Sequence, residues 1–348
     1  MASNERPGVY SSYEVASTLT GAAAGLGVGV TARAENGTAA RLYEIDDYAQ
    51  AVSSFGASSQ LTGLIRLLLR NGAAKVYAVP AAVSAAPDTA AYTAAFAVLA
   101  AEPTVKIMVC GSRDAAVHEA MQDSIEGAGE SCKYRIGVVE SSGTASAAVT
   151  AAAALNSERM VMVAPIETGT AALAGSAAAA LAGAIAATTD PALPMNGVEL
   201  EGLETLGGNF TDTQIDTLIQ GGVTPLESVG GQVQVVRAVT TRTTTAGAAD
   251  ATWRELTTVR IIDDVLPGLR TALRARFSRA KNNARTREAI RTQVIIELQN
   301  KVEQEIIDSY DQVTVTASAQ DATVCLVSFD FAVAHGLNRI RLTAHITV

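Results

Sequence analysis

The middle of the chain alternates short apolar runs with alanine-rich segments of helical length. The apolar runs fall at residues 75–80, 105–110, 132–140 and 159–165, and the helical segments at 89–101, 113–128 and 144–156. Runs such as VKIMVC and MVMVA are apolar on both faces, as in parallel strands that helices cover on both sides. The alternation therefore predicts a doubly wound α/β unit.

The last hundred residues follow a different pattern. Residues 259–265, 313–317 and 323–334 predict strands, whereas 269–279 and 286–307 predict helices separated by a break near Lys281. Grouped helices followed by grouped strands are typical of an α+β unit. A chain of 348 residues is long for one core, so two domains are expected. The stretch 242–250, rich in Thr, Ala and Gly, predicts their boundary.

Residues 338–348, NRIRLTAHITV, alternate strictly between polar and apolar side chains. The apolar face consists of Ile340, Leu342, Ala344, Ile346 and Val348. Such alternation predicts a half-buried strand. Because an uncovered apolar edge strand favours aggregation, we expect this strand to join the sheet of another subunit. The alternative is an ordinary last strand that pairs within its own domain.

Composition excludes several classes of protein. Hydrophobic residues make up 48% of the chain, which excludes a disordered protein, and the net charge of −9 argues against a general nucleic-acid coat. No secretion leader is recognisable, and Cys110, Cys132 and Cys325 are expected to be buried thiols in a reducing compartment. Residues 168–189 carry no charge but are mostly small, so they predict a packed interior helix rather than a membrane span.

Motifs of enzymatic chemistry are absent from the sequence. The glycine-rich residues 21–30 do not form a dinucleotide-binding fingerprint, and no phosphate-binding loop occurs. His118, expected to be solvated, shares no ligand spacing with the other histidines or the cysteines. Asp263 and Asp264 follow a predicted strand, where turn or cap roles are commoner than catalysis or metal binding. We therefore predict no catalytic, cofactor or metal site.

Positive charge is concentrated in residues 269–291, which we call the basic strip. Its basic residues are Arg270, Arg274, Arg276, Arg279, Lys281, Arg285, Arg287 and Arg291. Glu288 is the one acid, so the strip carries +7 and the rest of the chain −16. This separation indicates an electrostatic contact surface, although a solvated helix face or a phosphate-binding strip is also consistent with it. The acidic remainder and the single aromatic, Phe277, favour an acidic protein partner.

Several short segments, taken in order along the chain, resemble contractile tail sheath proteins of phages and phage-like particles. They are the PGVY opening at 7–10, Phe55-Gly56, the helix at 61–72 leading to VYAV, the small-residue run at 174–196, the strand at 232–241, the IIDDV run and the turn at 281–283. Ala280 precedes that turn where the family usually has glycine. The resemblance rests on the order and spacing of these segments rather than on any single motif.

The resemblance implies a specific domain organisation. An N-terminal arm would occupy residues 1–20, an inserted α/β domain 21–242, an α+β core domain 243–336 with part of the N-terminal region, and a C-terminal arm strand 337–348. The fold class expected is thus α/β plus α+β with extended, strand-forming terminal arms.

The resemblance also implies a function without enzymatic activity or cofactors. Subunits would form sixfold rings stacked helically around an inner tube, exchange strands with one another, and contract without nucleotide hydrolysis. The strand-exchange residues would be Pro7, Gly8, Val9 and Tyr10, with Ile340, Leu342, Ala344, Ile346 and Val348. The tube contacts would be Arg274, Arg276, Arg279, Lys281, Arg285, Arg287 and Arg291.

Further partners implied are baseplate and tail terminator proteins, with no nucleic acid and no membrane insertion. The location implied is a virion or phage-tail-like particle, assembled in the host bacterial cytoplasm. Two alternatives from other classes remain at the level of sequence. One is an α/β ligand-binding or enzymatic protein whose last strand pairs internally, and the other is a nucleic-acid-binding protein that uses the basic strip.

Overall fold

The computed structural model describes residues 25–83, 88–141, 143–169, 172–339 and 341–344. Its larger part is a mixed sheet of nine strands within these residues. The strands are β1 (Gly27–Ala34), β2 (Tyr43–Ile45), β3 (Lys75–Val83), β4 (Val105–Cys110), β5 (Ile136–Glu140), β6 (Met160–Ala164), β7 (Glu199–Leu200), β8 (Val223–Val229) and β9 (Gln232–Val235). Their spatial order is β2-β3-β1-β4-β5-β6-β8-β9-β7, and the six strands from β3 to β8 are parallel.

Helices cover both faces of this sheet. They are α1 (Tyr48–Phe55), α2 (Gln60–Arg70), α3 (Thr89–Ala101), α4 (Ala115–Glu130), α5 (Ala145–Leu155), α6 (Ser176–Ala187) and α7 (Asp212–Gln220). One core lies between the sheet and α1, α2 and α6, and the other between the sheet and α3, α4 and α5. Every residue of β6 is buried, as its two-sided apolar pattern predicts. The doubly wound arrangement is confirmed.

The uncharged run after β6 forms the interior helix that its small residues predict. Residues 176–186 of α6 are all buried. A Cβ atom at Gly183 would lie 2.7 Å from the Leu68 carbonyl oxygen, so glycine permits close packing on α2. Among the described residues, no helix is both long and apolar enough to cross a membrane.

The C-terminal part is α+β, and with the doubly wound sheet it confirms the α/β and α+β composition of the expected fold class. After the small hairpin β10 (Thr244–Thr245) and β11 (Ala248–Ala249) come two long helices and an antiparallel strand pair. These elements are α8 (Leu256–Phe277), α9 (Ala284–Glu303), β12 (Ile307–Ala317) and β13 (Cys325–Val333). Helix α8 contributes to the α/β core through Leu256 and Val259, and to a separate C-terminal core through Ile261, Val265 and Leu269.

Several local predictions from the sequence are wrong. Residues 259–265 belong to α8 and not to a strand, because a short apolar run cannot distinguish a strand from a buried helix face. The helix predicted to reach Ile307 ends at Glu303, and the strand predicted over residues 232–240 stops at Val235. Some predictions of side-chain burial are also wrong. Cys110 is buried as expected, whereas Cys132 is exposed, Cys325 is half-buried and His118 is buried.

Candidate functional site

The basic strip lies around the turn that joins α8 to α9. Arg274 and Arg276 are on the last turns of α8, Arg279 and Lys281 are in the connection, and the remaining three residues of the predicted contact set are on α9. Six of the seven are exposed and Arg287 is half-buried. Asn283 caps α9 by accepting a bond from the Thr286 amide at 2.9 Å, which starts the second helix directly after the turn.

Some of these cations are engaged within the subunit. Arg276 donates to Gln293, Arg287 to the Asn282 side-chain oxygen at 3.0 Å, and Arg291 to the Val313 carbonyl at 2.9 Å. Arg291 also pairs weakly with Glu288 at 3.4 Å. These three side chains therefore stabilise the helix pair and its contact with β12 in addition to carrying charge.

The other four have no acidic partner in the described part of the chain. They are Arg274, Arg279, Lys281 and Arg285. All four are exposed, and they cluster at one end of the helix pair. The structure thus separates the strip into side chains that brace the turn and side chains that are available to a partner.

The other end of α8 is fixed by the acidic pair that the sequence analysis placed after a strand. Asp263 pairs with Arg159 of the α/β sheet at 2.5 Å, and Asp264 pairs with Lys301 of α9 at 2.5 Å. Successive side chains on a helix point about 100° apart. Asp263 can therefore face the α/β part of the molecule while Asp264 faces α9. Burial raises the pKa of Asp263, although the hydrogen bond from Arg159 partly opposes the shift.

Arg260 completes this junction. It is only 5% exposed and donates to the carbonyls of Thr188 at 2.5 Å and Leu193 at 3.5 Å. Burial lowers the pKa of its guanidinium to about 10. A cleft of about 300 Å³ lies alongside, between α8 and the amino ends of the parallel strands. These contacts join α8 firmly to the α/β part, so the basic strip projects from a fixed base.

The β12–β13 pair is the second feature that is incomplete in one subunit. Helix α9 covers one face, where Val327, Phe329, Phe331 and Val333 of β13 pack but remain partly exposed. Neither outer edge carries a third strand among the described residues. On the other face Asp311 lies directly opposite Asp330. A like-charge pair in this position is unfavourable and leaves an acidic point on the sheet.

The predicted strand-exchange residues lie mostly outside the described residues: Pro7, Gly8, Val9, Tyr10, Ile340, Ile346 and Val348 do so. Leu342 and Ala344 are described, and they lie in a stretch, 341–344, without strand structure. Leu342 is 92% exposed. The described residues therefore leave this apolar side chain almost fully exposed.

The carboxyl edge of the parallel sheet is where α/β proteins commonly bind anionic ligands, often at a helix N-terminus. Here the N-terminus of α6 is capped by the protein's own carboxylate. Glu140, fully buried at the end of β5, accepts bonds from the amides of Gly175 at 2.7 Å and Ala177 at 3.1 Å and from Arg113 at 2.7 Å. The described residues contain no group of three or more His, Cys, Asp or Glu that could hold a metal ion.

The described part of the chain is thus a doubly wound domain followed by a charged helix pair and a two-stranded sheet. Two family models match the sequence: the phage tail sheath protein central domain over residues 84–241 and the phage tail sheath C-terminal domain over residues 248–347. Together they cover most of the chain, which therefore belongs to the phage tail sheath protein family. The resemblance drawn from the order of the sequence segments is confirmed.

Solved structures share this fold. A chain of the anti-feeding prophage baseplate aligns with a TM-score of 0.74 at 16% identity, covering 99% of this chain and 100% of that one. The contracted helical sheath of the same particle gives 0.72 at 17% identity, covering 99% of both chains. The sheath tail protein of Desulfitobacterium hafniense gives 0.70 at 13% identity, covering 94% of this chain and 100% of that one. No curated protein matches the sequence.

Proposed function

We propose that this tail sheath protein polymerises helically around an inner tube and contracts to drive that tube through a cell envelope. Subunits would be joined by strand exchange, with the terminal arms of one copy adding to the β12–β13 pair of another. The α/β sheet would form the inserted domain, residues 21–242, and the elements from α8 onward the core domain, residues 243–336. Contraction would release a metastable lattice, so no nucleotide hydrolysis and no other enzymatic activity is required.

The observation that supports strand exchange best is a match between two incomplete features. The β12–β13 pair has unpaired edges and a half-exposed apolar face. Residues 338–348 offer alternating apolar and polar side chains, and the described Leu342 contacts nothing that buries it. An added strand gains affinity from main-chain hydrogen bonds and register from alternating side chains. A head-to-tail contact of this kind repeats without closing, which generates a helical lattice.

The proposed partners follow from the same assembly. The four unpaired cations of the basic strip would face an acidic inner tube, and the sheath would form sixfold rings that end on baseplate and terminator proteins. The anti-feeding prophage structures named above include a baseplate and a contracted helical sheath, which supports this assignment. The location proposed is a virion or phage-tail-like particle assembled in the bacterial cytoplasm.

Removal of residues 338–348 tests the proposal. The truncated protein should remain folded by circular dichroism and stay soluble, but should form no tubes or rings in negative-stain electron microscopy. A milder variant, Leu342→Asp, should weaken assembly in the same direction because it places a charge on the apolar face, whereas Thr343→Ser on the polar face should assemble normally. Parent-like tubes from the truncated protein would refute strand exchange by this segment, and unfolding would show that the strand pairs internally.

A further inference from the structure

The first residues of the predicted arm, together with Gly336 just before it, contact the α/β domain of their own subunit. The Asn196 amide donates to the Asn338 side-chain oxygen at 2.8 Å, and Arg339 pairs with Asp216 of α7 at 3.8 Å. Gly336 lies against Pro194, so that an added Cβ atom would meet three ring atoms at 3.0 to 3.3 Å. These three contacts come from two separate parts of the α/β domain and meet within four consecutive residues.

A cleft of about 440 Å³ marks the same place. It is lined by α7, by Arg237 and Arg254, and by Asn338 and Arg339 themselves. Asn338 and Arg339 thus form one wall of a groove whose other walls are α7, Arg237 and, from the segment just before α8, Arg254. The contacts are exposed, with 68% of the Arg339 side chain and 61% of the Asp216 side chain accessible. A bond of this type is weak, on the order of 0 to 1 kcal/mol, and therefore reversible.

We propose that this groove anchors residues 336–339 and thereby sets the point from which residues 340–348 leave the subunit toward a second copy. The inference rests on the proposed strand exchange and adds a positioning role for the α/β domain. With the anchor made, the nine residues 340–348 span at most about 30 Å from Arg339. The backbone hydrogen bond that precedes the anchor joins the Ala334 amide to the Ile306 carbonyl at 3.4 Å. Counted from that bond instead, the fourteen residues 335–348 span about 50 Å.

A shorter free segment has a higher effective concentration at the β12–β13 pair of a second copy that lies within its reach. The effective concentration falls roughly as the −3/2 power of tether length, which corresponds to about a twofold loss when nine residues become fourteen. The ion pair lies within one subunit, so its loss acts only by releasing the anchor, and the total effect stays at about twofold. This effect on each subunit is modest, but every subunit of a polymer carries it.

Two independent variants break the anchor. Asp216→Arg repels Arg339, and Gly336→Val displaces the segment from Pro194 without changing charge; Gly336 has no positive φ, so valine is compatible with its backbone. Asp123→Arg on α4 is the matched control, since it makes the same charge change at an exposed α/β residue. The double variant Asp216→Arg with Arg339→Asp restores an ion pair of reversed polarity.

Two measurements are made on the full-length protein. The first is the rate of trypsin cleavage at Arg341, a site that every variant keeps, in the unassembled pool. The second is the critical concentration for polymer formation by sedimentation. We expect both anchor variants to be cleaved faster and to need about a twofold higher concentration, and we expect the double variant to recover toward wild type. Asp123→Arg should behave as wild type in both measurements.

The outcome for the anchor is separable from the outcome for strand exchange. If Asp216→Arg and Gly336→Val match the control in both cleavage and assembly, the anchor is refuted while the proposed function stands. Failure of the double variant to recover would likewise refute a direct pairing of residues 216 and 339. If the protein without residues 338–348 still polymerises, strand exchange by this segment is wrong and the anchor has no role in assembly.

Discussion

At the scale of single residues, Glu140 occupies the N-terminus of α6 at the carboxyl edge of the sheet, where other α/β proteins commonly bind anionic ligands. Its buried carboxylate receives one guanidinium bond and two backbone amides at the start of α6. We predict that Glu140→Gln lowers the free energy of unfolding by about 3 to 5 kcal/mol. The glutamine side chain would place an N–H donor against the N–H donors that bond to the carboxylate, and Arg113 would lose its counter-charge. Urea unfolding checks this prediction, with exposed Glu119→Gln as a control expected within about 0.5 kcal/mol of wild type.

Asp263 makes a second prediction at this scale, because its pKa is raised by burial. The folded state then holds the proton to a higher pH than the unfolded chain, whose carboxyl titrates near about 3.9. Between these two pKa values the folded state binds more protons, so this group's contribution to the free energy of unfolding falls as pH rises. Above the folded pKa the contribution is constant.

Comparison with Asp263→Asn isolates this contribution. The difference in free energy of unfolding, wild type minus variant, should decrease as pH rises from about 4 and then level off. Chemical unfolding at a series of pH values gives this difference directly. If the difference instead increases over that range, the ion pair with Arg159 outweighs burial and the pKa is lowered rather than raised.

At the scale of elements, the β12–β13 pair places two like charges side by side. Asp311 and Asp330 lie opposite each other, which costs roughly 0.2 to 1 kcal/mol relative to a neutral pair. The polar face of residues 340–348, the part proposed to leave the subunit, carries Arg341. A strand added from another copy would bring positive charge to this acidic pair.

Asp330→Asn should therefore have opposite effects on the subunit and on the polymer. We predict a more stable isolated subunit by chemical unfolding, since the cross-strand repulsion is removed, and a higher critical concentration for assembly, since the incoming arginine loses its counter-charge. Asp308→Asn is the control, because Asp308 has no opposing partner in the pairing register. Assembly that improves together with subunit stability would show that the acidic pair contributes nothing to the intersubunit contact.

Elements also show where sequence reasoning reached its limit. Runs such as Met160–Ala164 were identified as central strands because both faces are apolar, and α6 as interior because its residues are small. Residues 259–265 belong to a helix that buries side chains in two different cores. Its apolar residues therefore recur at short spacings, as they do in a strand, and the predicted strand is wrong. The pairing of Asp263 with Arg159 and of Asp264 with Lys301 joins residues far apart in the chain, so no local pattern could predict it.

At the scale of the whole molecule, the charge separation visible in the sequence corresponds to a separation in space. Net charge predicts a contact surface but not which cations are free, because that depends on hydrogen bonds formed only in the fold. Arg276, Arg287 and Arg291 bond to groups of the α8–α9 turn, α9 and β12. Arg274, Arg279, Lys281 and Arg285 are exposed and lack an acidic partner in the described part of the chain.

This distinction gives a prediction for tube binding. Reversal of the four unpaired cations to glutamate should abolish assembly on an acidic inner tube while leaving the fold intact, because none of them braces the turn. One exposed ion pair is worth only about 0 to 1 kcal/mol, so a single reversal should have little effect. Co-sedimentation with the purified tube protein, at low and high salt, measures the loss. Wild-type binding should weaken as salt rises, since the screening length is about 8 Å at physiological ionic strength.

Two comparisons make the tube experiment decisive. The variant with Arg274, Arg279 and Arg285 all changed to lysine keeps the charge and should bind the tube much as wild type does, because exposed point charges do not need the planar guanidinium. Reversal of Arg276, Arg287 and Arg291 should instead lower the free energy of unfolding, since these side chains hold the turn and β12. If the fourfold reversal co-sediments like wild type at both salt concentrations, the basic strip is a solvated face and the tube is bound elsewhere.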